Sequence, residues 1–142
     1  MNTKTSLTKL TLLAFAVISL VSLSWAGGGQ ISFMADKNEP GAGGTVTLSD
    51  KTLTVQAKGL HPGSVYTVWF VNMKPKKTEA GAGQAPYMFK TDAQGSGSYS
   101  ASLNEAPIGK WQMIMIVLHP DGDPMNMKNM VGALSAKIPE KG

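Results

Sequence analysis

No cysteine occurs among the 142 residues. The chain can therefore form no disulfide, carry no lipid on a thiol and build no blue-copper centre, which requires a cysteine thiolate. Arginine is missing as well, since all thirteen basic residues are lysines. Without the planar guanidinium fork that reads phosphates and base edges in pairs, nucleic acid is not an expected partner. Charged residues make up only 15% of the chain, and the one basic cluster, Lys74, Lys76 and Lys77 around Pro75, reads as a solvated loop or strand end. Histidine occurs twice, at His61 and His119, and Gly-x-Ser-x-Gly is absent: Gly95-Ser96-Gly97-Ser98 is a hairpin flank. The only compact acid-base pairing is His119 with Asp121 or Asp123, too little for a hydrolase. The sequence thus predicts no enzyme.

What is present begins with an address. Lys4 and Lys9 precede a 14-residue apolar run, Leu10 to Leu23, followed by Ser24-Trp25-Ala26. That run is too short to span a bilayer, and small residues at Ser24 and Ala26 suit signal peptidase, so residues 1–26 are expected to be a cleaved signal peptide. Cleavage leaves 116 residues, 27–142, the size of a single domain. No second apolar stretch approaches membrane-helix length, so no membrane span is expected after cleavage, and the destination is periplasmic or extracellular. The formal charge of +4 falls to +2 when the two early lysines leave.

Short segments rich in Val, Ile, Thr, Tyr, Phe and Trp recur about every ten residues between Gly, Pro, Asn and Asp, which predicts seven or eight strands in a sandwich or barrel. Gln30 to Ala35 is a first short strand, and Glu39 to Gly44 a glycine-rich connection. Thr45 to Leu48 and Leu53 to Ala57 form a hairpin about Ser49-Asp50-Lys51. Val65 to Val71 is almost continuously apolar, as in a central strand, with Trp69 expected at the centre of the core. Asn72 to Pro86 reads as a long loop. Tyr87 to Thr91 and Ser98 to Leu103 bracket Asp92-Ala93-Gln94-Gly95, expected to be a hairpin turn in which Gly95 takes a positive φ. Trp111 to Leu118 is a buried strand with Met113 and Met115 as packing residues. Met125 to Met130 is drawn as one helical turn opened by Pro124, before a last strand, Val131 to Ile138.

Val-Tyr-Thr-Val-Trp-Phe-Val (65–71), Phe-Lys-Thr-Asp-Ala-Gln-Gly (89–95) and Val-Leu-His-Pro-Asp-Gly-Asp-Pro (117–124) before Gly132-Ala133-Leu134 resemble, in that order, the extracytoplasmic domain of anti-sigma-K factors. The resemblance covers roughly residues 50–138 and implies an immunoglobulin-like antiparallel β-sandwich. This chain departs from the family in having a signal peptide in place of a transmembrane helix and sigma-binding domain, His119 in place of an acidic residue, and an added segment from Met125 to Met130. Sigma-factor regulation is therefore not carried over. The runs Val-Asn-Met-Lys-Pro-Lys-Lys and His-Pro-Asp-Gly-Asp-Pro-Met-Asn-Met-Lys-Asn-Met are also similar to small exported bacterial proteins.

Two functional expectations follow. On a rigid sandwich the connections carry recognition, so the leading expectation is a non-enzymatic binding or structural module for a protein or cell-envelope component, needing no cofactor and using the 72–86 and 119–130 segments. The alternative is a copper carrier. His119, Met125, Met127 and Met130 place one imidazole and three thioethers within twelve residues, and thioether sulfur selects Cu(I). Packing or loop roles for those methionines, and an unligated surface histidine at 119, are the plainer alternatives. His61 is expected to be a turn residue. Asp121 and Asp123 lack the further oxygen ligands of a calcium loop.

Overall fold

The computed structural model describes residues 28–141; the expected signal segment, 1–26, lies outside them. Among the described residues there is no helix, only ten strands: β1 (Gly28–Ser32), β2 (Met34–Ala35), β3 (Gly43–Ser49), β4 (Thr52–Lys58), β5 (Val65–Asn72), β6 (Thr78–Gly81), β7 (Met88–Lys90), β8 (Gly97–Ser102), β9 (Met113–His119) and β10 (Val131–Lys137). All pairings are antiparallel. The smaller sheet runs β1-β3-β4-β8 and the larger β2-β10-β9-β5-β6, with β7 also on β5. The hairpin β3-β4 joined by β8, facing β5 joined through β9 to β10, is the connectivity of an immunoglobulin-like sandwich.

Period-2 patterning explains the smaller sheet. Leu53, Val55 and Ala57 of β4 are buried, while Thr52, Gln56 and Lys58 between them are exposed, so one face packs and the other is solvated. Opposite them, Tyr66, Val68 and Phe70 of β5 with Ile114 and Ile116 of β9 complete a single core. Tyr66 stacks on Phe89, and Phe70 on Trp111, at 5.6 and 6.0 Å between ring centroids. The turn at 92–95 has the positive φ expected of Gly95, 79°, and the Asp92 carboxylate accepts from the Gln94 and Ser96 amides, 2.9 Å each, but it is not the expected hairpin: β7 pairs with β5 and β8 with β4, so this turn carries the chain from the larger sheet to the smaller. No helix among the described residues is long and apolar enough to cross a membrane.

Four further expectations need correction. The first strand is two: Phe33 turns into the core between β1 and β2, and the chain passes from one sheet to the other there. The expected loop 72–86 contains β6, folded back along β5 with Glu79 against Val71 and Gly81 against Trp69. Trp69 is not a core residue; the inward positions of β5 are Tyr66, Val68 and Phe70, and Trp69 points to the opposite face. Residues 125–130 form turns rather than a helix. There the side chains of Asp121, Asp123 and Asn126 accept from the amides of Asp123, Met125 and Lys128, offering the backbone local partners that compete with a helical ladder.

Candidate functional site

The outward face of the larger sheet is unlike a solvated sheet face. Register and alternation place Val65, Thr67, Trp69 and Val71 of β5 beside His119, Val117, Met115 and Met113 of β9 in turn. Met88 lies across from Thr67 on the other side, and Met34 lies beyond Ser135 in the row that contains Met115 and Trp69. Thr67, Val71 and His119 are almost fully buried although they face away from the core. Thioethers and aromatic rings, together with the 120–130 segment, thus form a second apolar layer over this sheet.

Methionine has a singular distribution. None of the eight described methionines belongs to the core cluster, which is built from Val, Leu, Ile, Ala, Phe and Tyr. Met113 and Met115, expected as packing residues of a buried strand, are half-buried on the outward face.

His119 organises this layer. Its ring is 1% exposed, with Nε2 2.7 Å from the Thr67 hydroxyl and Nδ1 3.1 Å from the Asn126 carbonyl oxygen. A carbonyl only accepts, so Nδ1 carries a proton. Thr67 Oγ1 accepts the Trp69 indole N–H at 2.8 Å, which leaves its own hydrogen free to donate to Nε2. This tautomer, assigned from the network, completes a chain from Trp69 through Thr67 and His119 to the backbone of residue 126. Both imidazole nitrogens are engaged, so His119 can take a metal only by giving up one of these bonds.

Of the four residues expected to form a copper site, His119 is buried, Met125 and Met127 are 69% and 43% exposed, and Met130 is half-buried at the mouth of β10, next to Val131, which pairs with Leu118. The Asp121 carboxyl is held below its ordinary range by the Asp123 amide and then by the Asn126 side chain, so it caps the turn. Among the described residues no group of three or more His, Asp or Glu is placed to hold a metal ion.

Tyr87 is the one described non-glycine residue at positive φ, 62°. A conformation that costs an L-residue on the order of 1–3 kcal/mol persists where its surroundings impose it. Here the phenol ring covers Gly81 and meets the Trp69 indole at 5.5 Å, tilted by 57°. A Cβ at Gly81 would lie 2.2 Å from that ring. Gly81→Ala is therefore expected to expel Tyr87 from Trp69, lowering stability by about 1–3 kcal/mol and shifting the indole emission to longer wavelength. A thermal melt and an emission spectrum check it; an unchanged spectrum would show that the ring stays in place.

A second polar cluster gave no signal in the sequence. Glu39, in the glycine-rich connection, is buried and accepts from the Tyr66 hydroxyl at 3.0 and 3.1 Å. That hydroxyl in turn accepts the His61 amide at 2.9 Å. His61 is an exposed turn residue, as expected, with Nε2 3.9 Å from Glu39.

No family model, curated protein or solved structure matches the chain.

Proposed function

We propose that the chain is an exported, non-enzymatic immunoglobulin-like module whose recognition surface is the outward face of the larger sheet, flanked by the 73–87 and 120–130 connections. The observation that carries this is the collection of Met34, Met88, Met113, Met115, Trp69 and Tyr87 on one face of a sheet whose core needs none of them. Thioethers adapt to varied apolar partners, and aromatic residues anchor interfaces. The contrast is the smaller sheet, whose outward positions are Thr, Ser and Gln, the ordinary solvated pattern. The expected signal segment supports a protein or cell-envelope component as the partner. A soft-metal carrier using His119, Met125, Met127 and Met130 is the second possibility, favoured by the exposure of Met125 and Met127.

The test expresses the full chain in an exporting bacterium, recovers material with Gly27 at its amino end from outside the cytoplasm, and crosslinks it in place. Envelope species captured by the native protein and by Thr47→Lys, on the outward face of the smaller sheet, are expected to be lost in Met115→Lys. Identical capture by all three, or retention of residues 1–26 in the cytosol, overturns the proposal.

A further inference from the structure

We infer that one end of the sandwich docks on an anionic phospholipid surface, through the basic turn from Met73 to Lys77 and the cleft beside it. This surface is distinct from the outward sheet face proposed above and stands or falls without it.

Charge is divided unevenly along the strands. Asn72 ends β5 next to the start of β9 at Met113 and the end of β10 at Lys137, and residues 103–112 cross to that same end from β8, whose last residue pairs with Thr52. Segments 49–52, 72–79, 104–112 and 137–141 therefore share one end of the sandwich. They carry seven lysines against four carboxylates, whereas the rest of the described chain carries four lysines against five carboxylates. The positive charge of the domain thus sits at this end. An ammonium is a point charge that needs no planar partner. The lack of arginine, which argues against base reading, therefore leaves attraction to an anionic leaflet intact.

The basic turn is braced. The Gln112 side-chain oxygen accepts the Met73 and Lys74 amides at 2.6 and 3.2 Å, and its side-chain nitrogen donates to the Lys74 carbonyl at 3.0 Å. The Asn72 side chain donates to the Lys110 carbonyl at 3.1 Å and accepts the Gln112 amide at 2.8 Å. These bonds fix the backbone and use none of the ammonium groups: Lys74, Lys76 and Lys77 are exposed and make no ion pair among the described residues. Met73, 54% exposed beside them, adds an adaptable apolar side chain to the charged tip, and apolar burial together with lysine attraction is what holds a peripheral protein at the headgroup boundary. A cleft of about 510 Å³ separates the turn from the 138–141 segment, with Lys74, Lys110 and Lys141 on its walls and Glu140 as its carboxylate. Lys110 is paired with Glu105, which leaves Lys74 and Lys141 to meet a headgroup phosphate.

The described sandwich is complete within residues 28–141, so the experiment uses protein beginning at Gly27, sedimented with vesicles of mixed phosphatidylglycerol and phosphatidylcholine or of phosphatidylcholine alone. Binding is expected only to the anionic vesicles at an ionic strength of about 0.1 M, and its loss at about 1 M, where the Debye length shrinks to about 3 Å. Lys74→Gln/Lys76→Gln/Lys77→Gln should weaken it at least about tenfold. Lys37→Gln/Lys58→Gln/Lys90→Gln, which removes the same charge from exposed sites elsewhere, should bind as the native protein does. No binding to the anionic vesicles, equal binding to both kinds, or equal losses in the two triple variants overturns the inference. Met115→Lys, at mid-strand in β9, should still sediment with the anionic vesicles; a loss there would move lipid binding to the sheet face and overturn it too. Crosslinked capture and vesicle binding are read separately, so failure of the sheet face and failure of the basic end are told apart.

Discussion

Tyr66→Phe is expected to cost about 3 kcal/mol, far more than the loss of one hydroxyl from a surface, because it strands a buried carboxylate. The Tyr66 hydroxyl is the hydrogen-bond donor reaching Glu39 and the acceptor for the His61 amide. Phenylalanine preserves the stack on Phe89 and removes only the oxygen, so the change isolates the polar part. A urea titration measures the loss. In a Glu39→Gln background the same substitution should cost at least 1 kcal/mol less, as a neutral amide tolerates the missing donor better than an ion. Equal costs in both backgrounds would show that Glu39 is not what the hydroxyl serves.

The same residue sets an alkaline limit. Burial, more than the neighbouring Glu39, pushes the Tyr66 phenol well above its ordinary value of 10. The folded state thus keeps this proton to higher pH than the unfolded chain, so its contribution is complete below about pH 10 and declines as pH rises beyond that. The native protein should lose urea resistance across that range more steeply than Tyr66→Phe, which has no phenol at this position to titrate.

Alternation made the smaller sheet legible. Leu53, Val55 and Ala57, or Tyr99 and Ala101, stand against Thr, Ser and Gln, so parity alone assigns each residue to a face. The larger sheet offers no such contrast. Every residue from Val65 to Val71 except Thr67 is apolar or aromatic, and either parity satisfies the pattern. Which one faces inward is decided by packing against β3, β4 and β8, and that puts Tyr66, Val68 and Phe70 inside and Trp69 outside. The β6 strand was illegible for another reason: Thr78-Glu79-Ala80-Gly81 has little strand character of its own and is held by the open edge of β5. The Glu39–Tyr66 bond joins residues 27 apart in sequence, and no local pattern announces it. The candidate site was half visible. The methionines and His119 stand out by residue type, but their division between sheet face and turn depends on pairing register.

His119→Leu is expected to have the second large effect, about 3 kcal/mol, through two orphaned partners rather than a cavity. Leucine occupies much of the imidazole volume, yet it accepts nothing from the Thr67 hydroxyl and donates nothing to the Asn126 carbonyl. Two consequences separate this network from simple packing. The 120–130 segment loses its tether to the sheet, so trypsin should cut after the exposed Lys128 faster than in the native protein, at a urea concentration where both remain folded. Thr67, freed of its acceptor, no longer fixes the Trp69 N–H, and the indole emission should broaden. His119→Asn, which keeps a donor and an acceptor on a shorter side chain, tests geometry apart from polarity: it should restore part of the stability and little of the protection at Lys128. If cleavage at Lys128 is unchanged in the leucine variant while stability falls, His119 serves only as buried volume. The 120–130 segment would then be held by its own Asp121, Asp123 and Asn126 turns.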